Sequence, residues 1–138
     1  MPPFKTTYDV SWVDTDAAQV VHFSNYFRIF EKAEEEMYTQ LGLSFDEIRQ
    51  KYDIWLPRVE ALCKFKAPAK YGDTLEVSLT VEEVKDKAVR YGFTIFNKKS
   101  ERLIAEGYVV VVVADKKFGH AINIPKELVQ RLETYKKS

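Results

Sequence analysis

One amphipathic helical pattern is set inside a chain that otherwise alternates. Tyr26, Ile29, Phe30, Ala33, Met37 and Leu41 recur at spacings of three and four, which lines them up on one stripe of an α-helix. Arg28, Glu31, Lys32, Glu34, Glu35 and Glu36 fall mostly off that stripe. Ser24 is suited to N-cap the helix, since its hydroxyl can accept from a first-turn amide, and Gly42 is suited to end it in a left-handed conformation. The segment predicts roughly 17 residues of helix, ~25 Å long. Phe4 to Val13 reads as a strand before it, and Ser44 to Tyr52 as a short second helix after it.

The period then changes to two. Val59, Ala61, Cys63, Phe65 and Ala67 alternate with Glu60, Leu62, Lys64 and Lys66. Leu75 to Val81, Val89 to Ile95 and Leu103 to Ala114 continue the strand pattern, with turns at Tyr71-Gly72-Asp73, Lys85-Asp86-Lys87 and Asn97 to Glu101. Pro125 opens a closing helix with Leu128, Leu132 and Tyr135 as its stripe. The order predicts an α+β fold, in which five antiparallel strands, the last four joined by hairpins, wrap one long central helix. Val109 to Val113 is apolar on both faces. One face can pack on the helix, and a second copy of the chain is the simplest cover for the other.

A length of 138 residues suits a single domain spanning 1–138. The 21 basic and 21 acidic residues cancel, which argues against a general nucleic-acid binder. Cys63 is the only cysteine, so no internal disulfide forms. MPPFKTTYDV lacks the apolar run of a signal peptide, and Tyr108 to Ala114 is too short to cross a bilayer. A cytoplasmic location is the expectation. There is no G-x-S-x-G, G-x-G-x-x-G or Walker A motif. One cysteine with the distant His22 and His120 does not make a zinc site. Enzymatic chemistry here would rest on a carboxylate, on backbone dipoles or on His22.

The segment Asp14 to Tyr26, DTDAAQVVHFSNY, sets Asp16 in a loop between a strand pattern and a helix start. Alone, a D-x-D before a helix is most often turn and capping chemistry. In this chain the segment resembles the signature D-x-D-x-x-G-x-V-x-x-x-x-Y of the hotdog-fold acyl-CoA thioesterases of the 4-hydroxybenzoyl-CoA thioesterase type. Leu56 to Glu60 is similar to the start of that family's second strand. Ala67 to Val77, APAKYGDTLEV, is similar to its strand–turn–strand passage, and Ala121 to Pro125 to the lead into its last helix.

The resemblance implies hydrolysis of a thioester to free acid and CoA, with no metal or organic cofactor. It places Asp16 on the catalytic carboxylate and Phe23 where a backbone N–H at the helix start meets the thioester carbonyl. Asp16 would attack the carbonyl itself or deprotonate a water that does. Amides at a helix N-terminus stabilise the oxyanion that forms. Gln19, His22, Tyr26 and Glu31 would border the substrate. Pro57, Arg58 and Val59 would form a wall across the interface of a homodimer, alone or within a dimer of dimers. Lys85, Lys87 and Arg90, at the turn after the third strand, would hold the CoA phosphates as point charges. Asp86 interrupts that basic turn, and Lys64, Lys66 and Lys70 offer a second patch.

Three departures stand out, one of them in the helix, which reads Glu31-Lys32-Ala33-Glu34 where relatives often have E-x-A-R. Gln19 replaces the motif's glycine, where a positive φ or close backbone approach is at stake. Phe23 stands where some relatives have a histidine, one position after His22. Asp14 reads as a structural turn residue, His120 as a surface residue and Cys63 as a small strand residue. The other reading is a non-catalytic acyl-CoA or acyl-carrier binding protein on the same fold, favoured by Gln19. A hotdog dehydratase ranks lower, because His22 has no placed acidic partner.

Overall fold

A computed structural model describes residues 2–137. In chain order the elements are β1 (Phe4–Asp9), α1 (Tyr26–Gln40), α2 (Phe45–Tyr52), β2 (Ile54–Trp55), β3 (Arg58–Phe65), β4 (Thr74–Val84), β5 (Ala88–Asn97), β6 (Leu103–Val112), β7 (Ala114–Asp115) and α3 (Lys126–Leu132). Five strands form one antiparallel sheet in the order β1-β4-β5-β6-β3. The expected hotdog architecture, a sheet around α1, is present.

α1 buries Tyr26, Ile29, Phe30, Ala33, Met37 and Tyr38 against the sheet. Phe30 stacks on Phe93 of β5 with ring centroids 4.4 Å apart. Burying a side chain of that size contributes about 2–3 kcal/mol. The helix ends as the glycine predicts. Gly42 has φ +86°, its N–H donates to Thr39 O (3.0 Å), and the Leu43 N–H donates to Tyr38 O (2.9 Å). That pair of bonds satisfies two of the last carbonyls. α2 begins on a reciprocal cap between Ser44 and Glu47.

Three expectations are corrected. First, the last four strands are not all joined by hairpins. β4, β5 and β6 meander, but β3 crosses to the far edge and pairs only with β6. The link after β3 carries Pro68 and the buried Ala69. It is held by the Val21 N–H donating to Ala69 O at 2.8 Å, so it runs across the end of the sheet. Second, the first strand ends at Asp9, and Trp12–Asp14 forms a 3-10 turn. Asp14 Oδ2 accepts from Ser11 N–H at 2.9 Å and bends the chain there. Third, Ser24 is not the helix cap. A 3-10 turn, Phe23–Asn25, precedes α1, and His22 caps it by accepting from Ser24 N–H.

The β3–β6 approach depends on Gly107. A Cβ at that position would lie 2.0 Å from the Leu62 backbone oxygen. At Gly92 the obstruction is only the Glu82 carboxylate, which can swing away. Gly107→Ala is therefore expected to cost about 3 kcal/mol or more, and Gly92→Ala less than about 1 kcal/mol. Urea unfolding of both variants checks this; equal losses would contradict the tight crossing.

Candidate active site

Asp16 sits on a short hairpin. Thr15 bridges Val21, Asp16 N–H donates to Val20 O (3.0 Å), and Gln19 N–H donates to Asp16 O (2.9 Å). A three-residue loop of this kind needs one residue in the left-handed region. Gln19 fills that position with φ +66°. The motif's glycine thus has a geometric meaning, and Gln19 adopts the geometry at a cost of about 1 kcal/mol. Asp16 Oδ1 accepts from Ala18 N–H at 2.8 Å, an arrangement that pins a short acidic side chain to its own turn. Asp16 is exposed in the single chain, with Oδ2 outside that bond.

Asp14 anchors the hairpin to α1. It is 1% exposed, and its Oδ2 accepts from the Tyr8 hydroxyl at 2.9 Å. Its carbonyl takes the His22 N–H (2.9 Å) and the Asn25 Nδ2 (2.9 Å). Arg28 Nη1 lies 3.9 Å from its Oδ1. This web draws Asp16 and the start of α1 to the same end of the molecule. Phe23 opens the 3-10 turn there, where an amide has no carbonyl of its own turn to bond. His22 Nδ1 lies 2.7 Å from Ser24 Oγ.

The surrounding surface is aromatic. The ring of Phe65 on β3 packs near those of Phe23 and Tyr26, with centroids 6.4 Å and 5.3 Å away. Phe23 is 64% exposed and Phe65 52%, large for apolar groups on a finished surface. Tyr26 is buried, and burial pushes its hydroxyl pKa up. It forms wall rather than exposing its hydroxyl.

Further along α1 the sequence reading missed a buried carboxylate. Glu34 is 1% exposed and accepts from Arg58 Nη1 at 2.8 Å. Arg58 Nη2 lies 3.8 Å from Glu31. Desolvation pushes Glu34 up to about 7, although Arg58 pulls it down. Tyr38 sits beside it and shares a hydrogen bond with Tyr91; burial pushes both phenols well up. Arg58 reaches this side of the sheet because of a bulge. Its partner is the buried Val111, while Glu60 pairs with Val110, so Val59 is the extra residue. One extra residue moves a side chain to the opposite face. Phe27, Glu31, Glu34, Arg58, Ala61 and Val109 line a half-open cavity of about 240 Å³.

The residues named from sequence therefore fall into three places. Asp16, Gln19, His22, Phe23 and Tyr26 gather at the start of α1. Glu31 and Arg58 meet near its middle, beside the exposed Pro57 and Val59. Lys85, Lys87 and Arg90 lie apart, around the β4–β5 hairpin. There Lys85 is 3.3 Å from Glu83. Arg90 is 3.0 Å from Glu82 and lies over the Tyr108 ring at 3.7 Å. Those carboxylates already occupy two of the three cations.

The chain matches the thioesterase-like superfamily over residues 10–132. A 1,4-dihydroxy-2-naphthoyl-CoA hydrolase of Acaryochloris marina is 30% identical over 131 residues, covering 94% of this chain and 95% of that protein. The crystal structure of a 1,4-dihydroxy-2-naphthoyl-CoA thioesterase from Synechocystis is similar with a TM-score of 0.88 at 27% identity, covering 94% of each chain. A gentisyl-coenzyme A thioesterase is similar with a TM-score of 0.81 at 29% identity, covering 94% of this chain and 98% of that one.

Proposed function

Because the chain belongs to the thioesterase-like superfamily, we propose that it hydrolyses an acyl-CoA thioester to free acid and CoA, using water and no resident cofactor. The observation that carries this reading is Asp16 held on a hairpin that Asp14 ties to the residues opening α1, with Phe23 first in the turn that leads into the helix. The thioester carbonyl would rest on the Phe23 N–H. Asp16 would supply the attacking oxygen, its own Oδ2 or that of a water it deprotonates. In the first route an acyl–Asp16 anhydride forms, the CoA thiolate departs, and water then cleaves the anhydride. In the second the tetrahedral adduct collapses directly to acid and thiolate. Thiolate is stable enough to leave without a strong general acid. The amide stabilises the oxyanion in either route, and one such donor is worth about 3 kcal/mol. Gln19 was the feature favouring a non-catalytic binding protein. Its left-handed backbone supplies the turn a glycine would give, which supports the catalytic reading. Release of free thiol from aromatic and aliphatic acyl-CoAs tests it; tight binding with no release from any of them would overturn it.

A working site needs Asp16 shielded from bulk water, and a second copy of the chain is proposed to provide this. β3 is an edge strand paired on one side only. It leaves Val59 60% and Phe65 52% exposed. An edge of this length with apolar side chains invites another strand. Docking there would also roof the aromatic surface around Phe23. The expected state is a homodimer, alone or as half of a tetramer. A Val59→Lys, Phe65→Lys double variant is expected to sediment as a monomer and to lose at least about a hundredfold in kcat/KM. A fully active monomer would contradict the shared site. Lys85, Lys87 and Arg90 are proposed as contacts for the CoA phosphates, Lys87 foremost, since Glu83 and Glu82 already face the other two.

A further inference from the structure

The cavity between α1 and β3 is apolar along its walls, through Phe27, Ala61 and Val109, and charged at one end. From Tyr26, beside the Phe23 amide, to Glu34 is eight residues of α1, ~12 Å at the helical rise. β3 runs alongside, from Phe65 near Tyr26 to Arg58 at Glu34. The cavity lies between these two elements, from Phe27, next to Tyr26, to the ion pair. The volume of about 240 Å³ exceeds the roughly 150 Å³ that holds benzene.

The charge at that end is not balanced. Arg58 faces two carboxylates, Glu34 at 2.8 Å and Glu31 at 3.8 Å. Above about pH 7, where Glu34 is ionised, the cluster carries one net negative charge. Glu34 has a side chain only 2% exposed, so water does little to screen it. An acyl chain ending in a carboxylate would bring a third anion to one cation.

We infer that this cavity seats the acyl group and that Glu34 is a specificity-determining residue, selecting neutral acyl groups over those that end in a carboxylate. The identity of the CoA carrier rests on the thioesterase reading. Selection of this kind acts through binding, so it is measurable apart from turnover.

The test uses non-hydrolysable ketone analogues of hexanoyl-CoA and of its equal-length ω-carboxylate partner, adipoyl-CoA, titrated by calorimetry at about pH 8.5, where Glu34 is ionised. The wild-type protein is expected to bind the hexanoyl analogue at least about tenfold more tightly. Glu34→Gln keeps the shape and removes the charge, and should shrink the ratio to about threefold or less. Ala61→Phe, on the cavity-facing side of β3, leaves the ion pair intact and fills the cavity. It should weaken the hexanoyl analogue by about tenfold or more while sparing the acetyl analogue. Equal binding of the two six-carbon analogues, an unchanged ratio in Glu34→Gln, or no effect of Ala61→Phe would each overturn the inference. The predicted ratios without thiol release from any acyl-CoA would uphold it and overturn the thioesterase reading alone.

Discussion

Asp16→Asn is expected to lower the turnover of a good acyl-CoA substrate by about a thousandfold, with KM changed by less than about threefold. The substitution is nearly isosteric. An asparagine oxygen can still accept the Ala18 N–H that now bonds Oδ1, so the hairpin and the Phe23 amide keep their places. What disappears is the negative oxygen that attacks or takes the proton. General-base and nucleophilic groups contribute about 10²–10⁴ in rate, and a thousandfold loss lies in the middle of that range. An unchanged KM separates this from a binding defect. Wild-type turnover in Asp16→Asn would remove Asp16 from the mechanism, whatever the fold.

The second large effect concerns stability. Arg58→Met is expected to cost about 1.4 kcal/mol more at pH 8 than at pH 5. In the folded protein Glu34 is pushed up from 4.5 to about 7. The native state therefore holds a proton that the unfolded chain releases across that interval. Stability contributed by this group is greatest in acid and declines as pH rises from about 4.5 through about 7, by ~3 kcal/mol in all. Arg58 limits the decline by stabilising the carboxylate. Without Arg58 the group titrates higher still, and the decline extends past pH 8. Below pH 5 the carboxyl is protonated in the folded state of both proteins, and the ion pair matters little. Denaturant unfolding at the two pH values reads the difference directly. An equal loss at both would mean that the pair is not a buried charge pair.

Much of this was legible in the chain. The three-and-four spacing from Tyr26 to Leu41 locates α1, and Gly42 ends it by the bonds a left-handed residue allows. Alternation locates the main strands to within a few residues, and the order of elements with the Asp14–Tyr26 motif points to the architecture. The path of β3 was not legible, because alternation fixes which face a residue takes and not which neighbour a strand chooses. Arg58 was hidden for a related reason. Period two puts it with Glu60 on the outer face, and only the extra residue Val59 turns it inward. Glu34 was set aside as polar, yet it lies four residues after Phe30 and four before Tyr38, inside the buried stripe. A charged residue at such a position needs a partner, and that partner is distant in sequence. Ser24 looked like the cap because hydroxyls are good caps, but the turn starts earlier, and the imidazole of His22 accepts the backbone N–H of Ser24 itself.

The most direct measurement is a crystal structure of the protein with a non-hydrolysable acyl-CoA ketone analogue. The account predicts two copies joined across β3, the ketone oxygen 2.7–3.1 Å from the Phe23 amide nitrogen, and the ketone carbon about 3–3.5 Å from Asp16 Oδ2 or from a water bonded to it. A well-ordered ligand with its carbonyl elsewhere, and Asp16 in open solvent away from any boundary between copies, would contradict it.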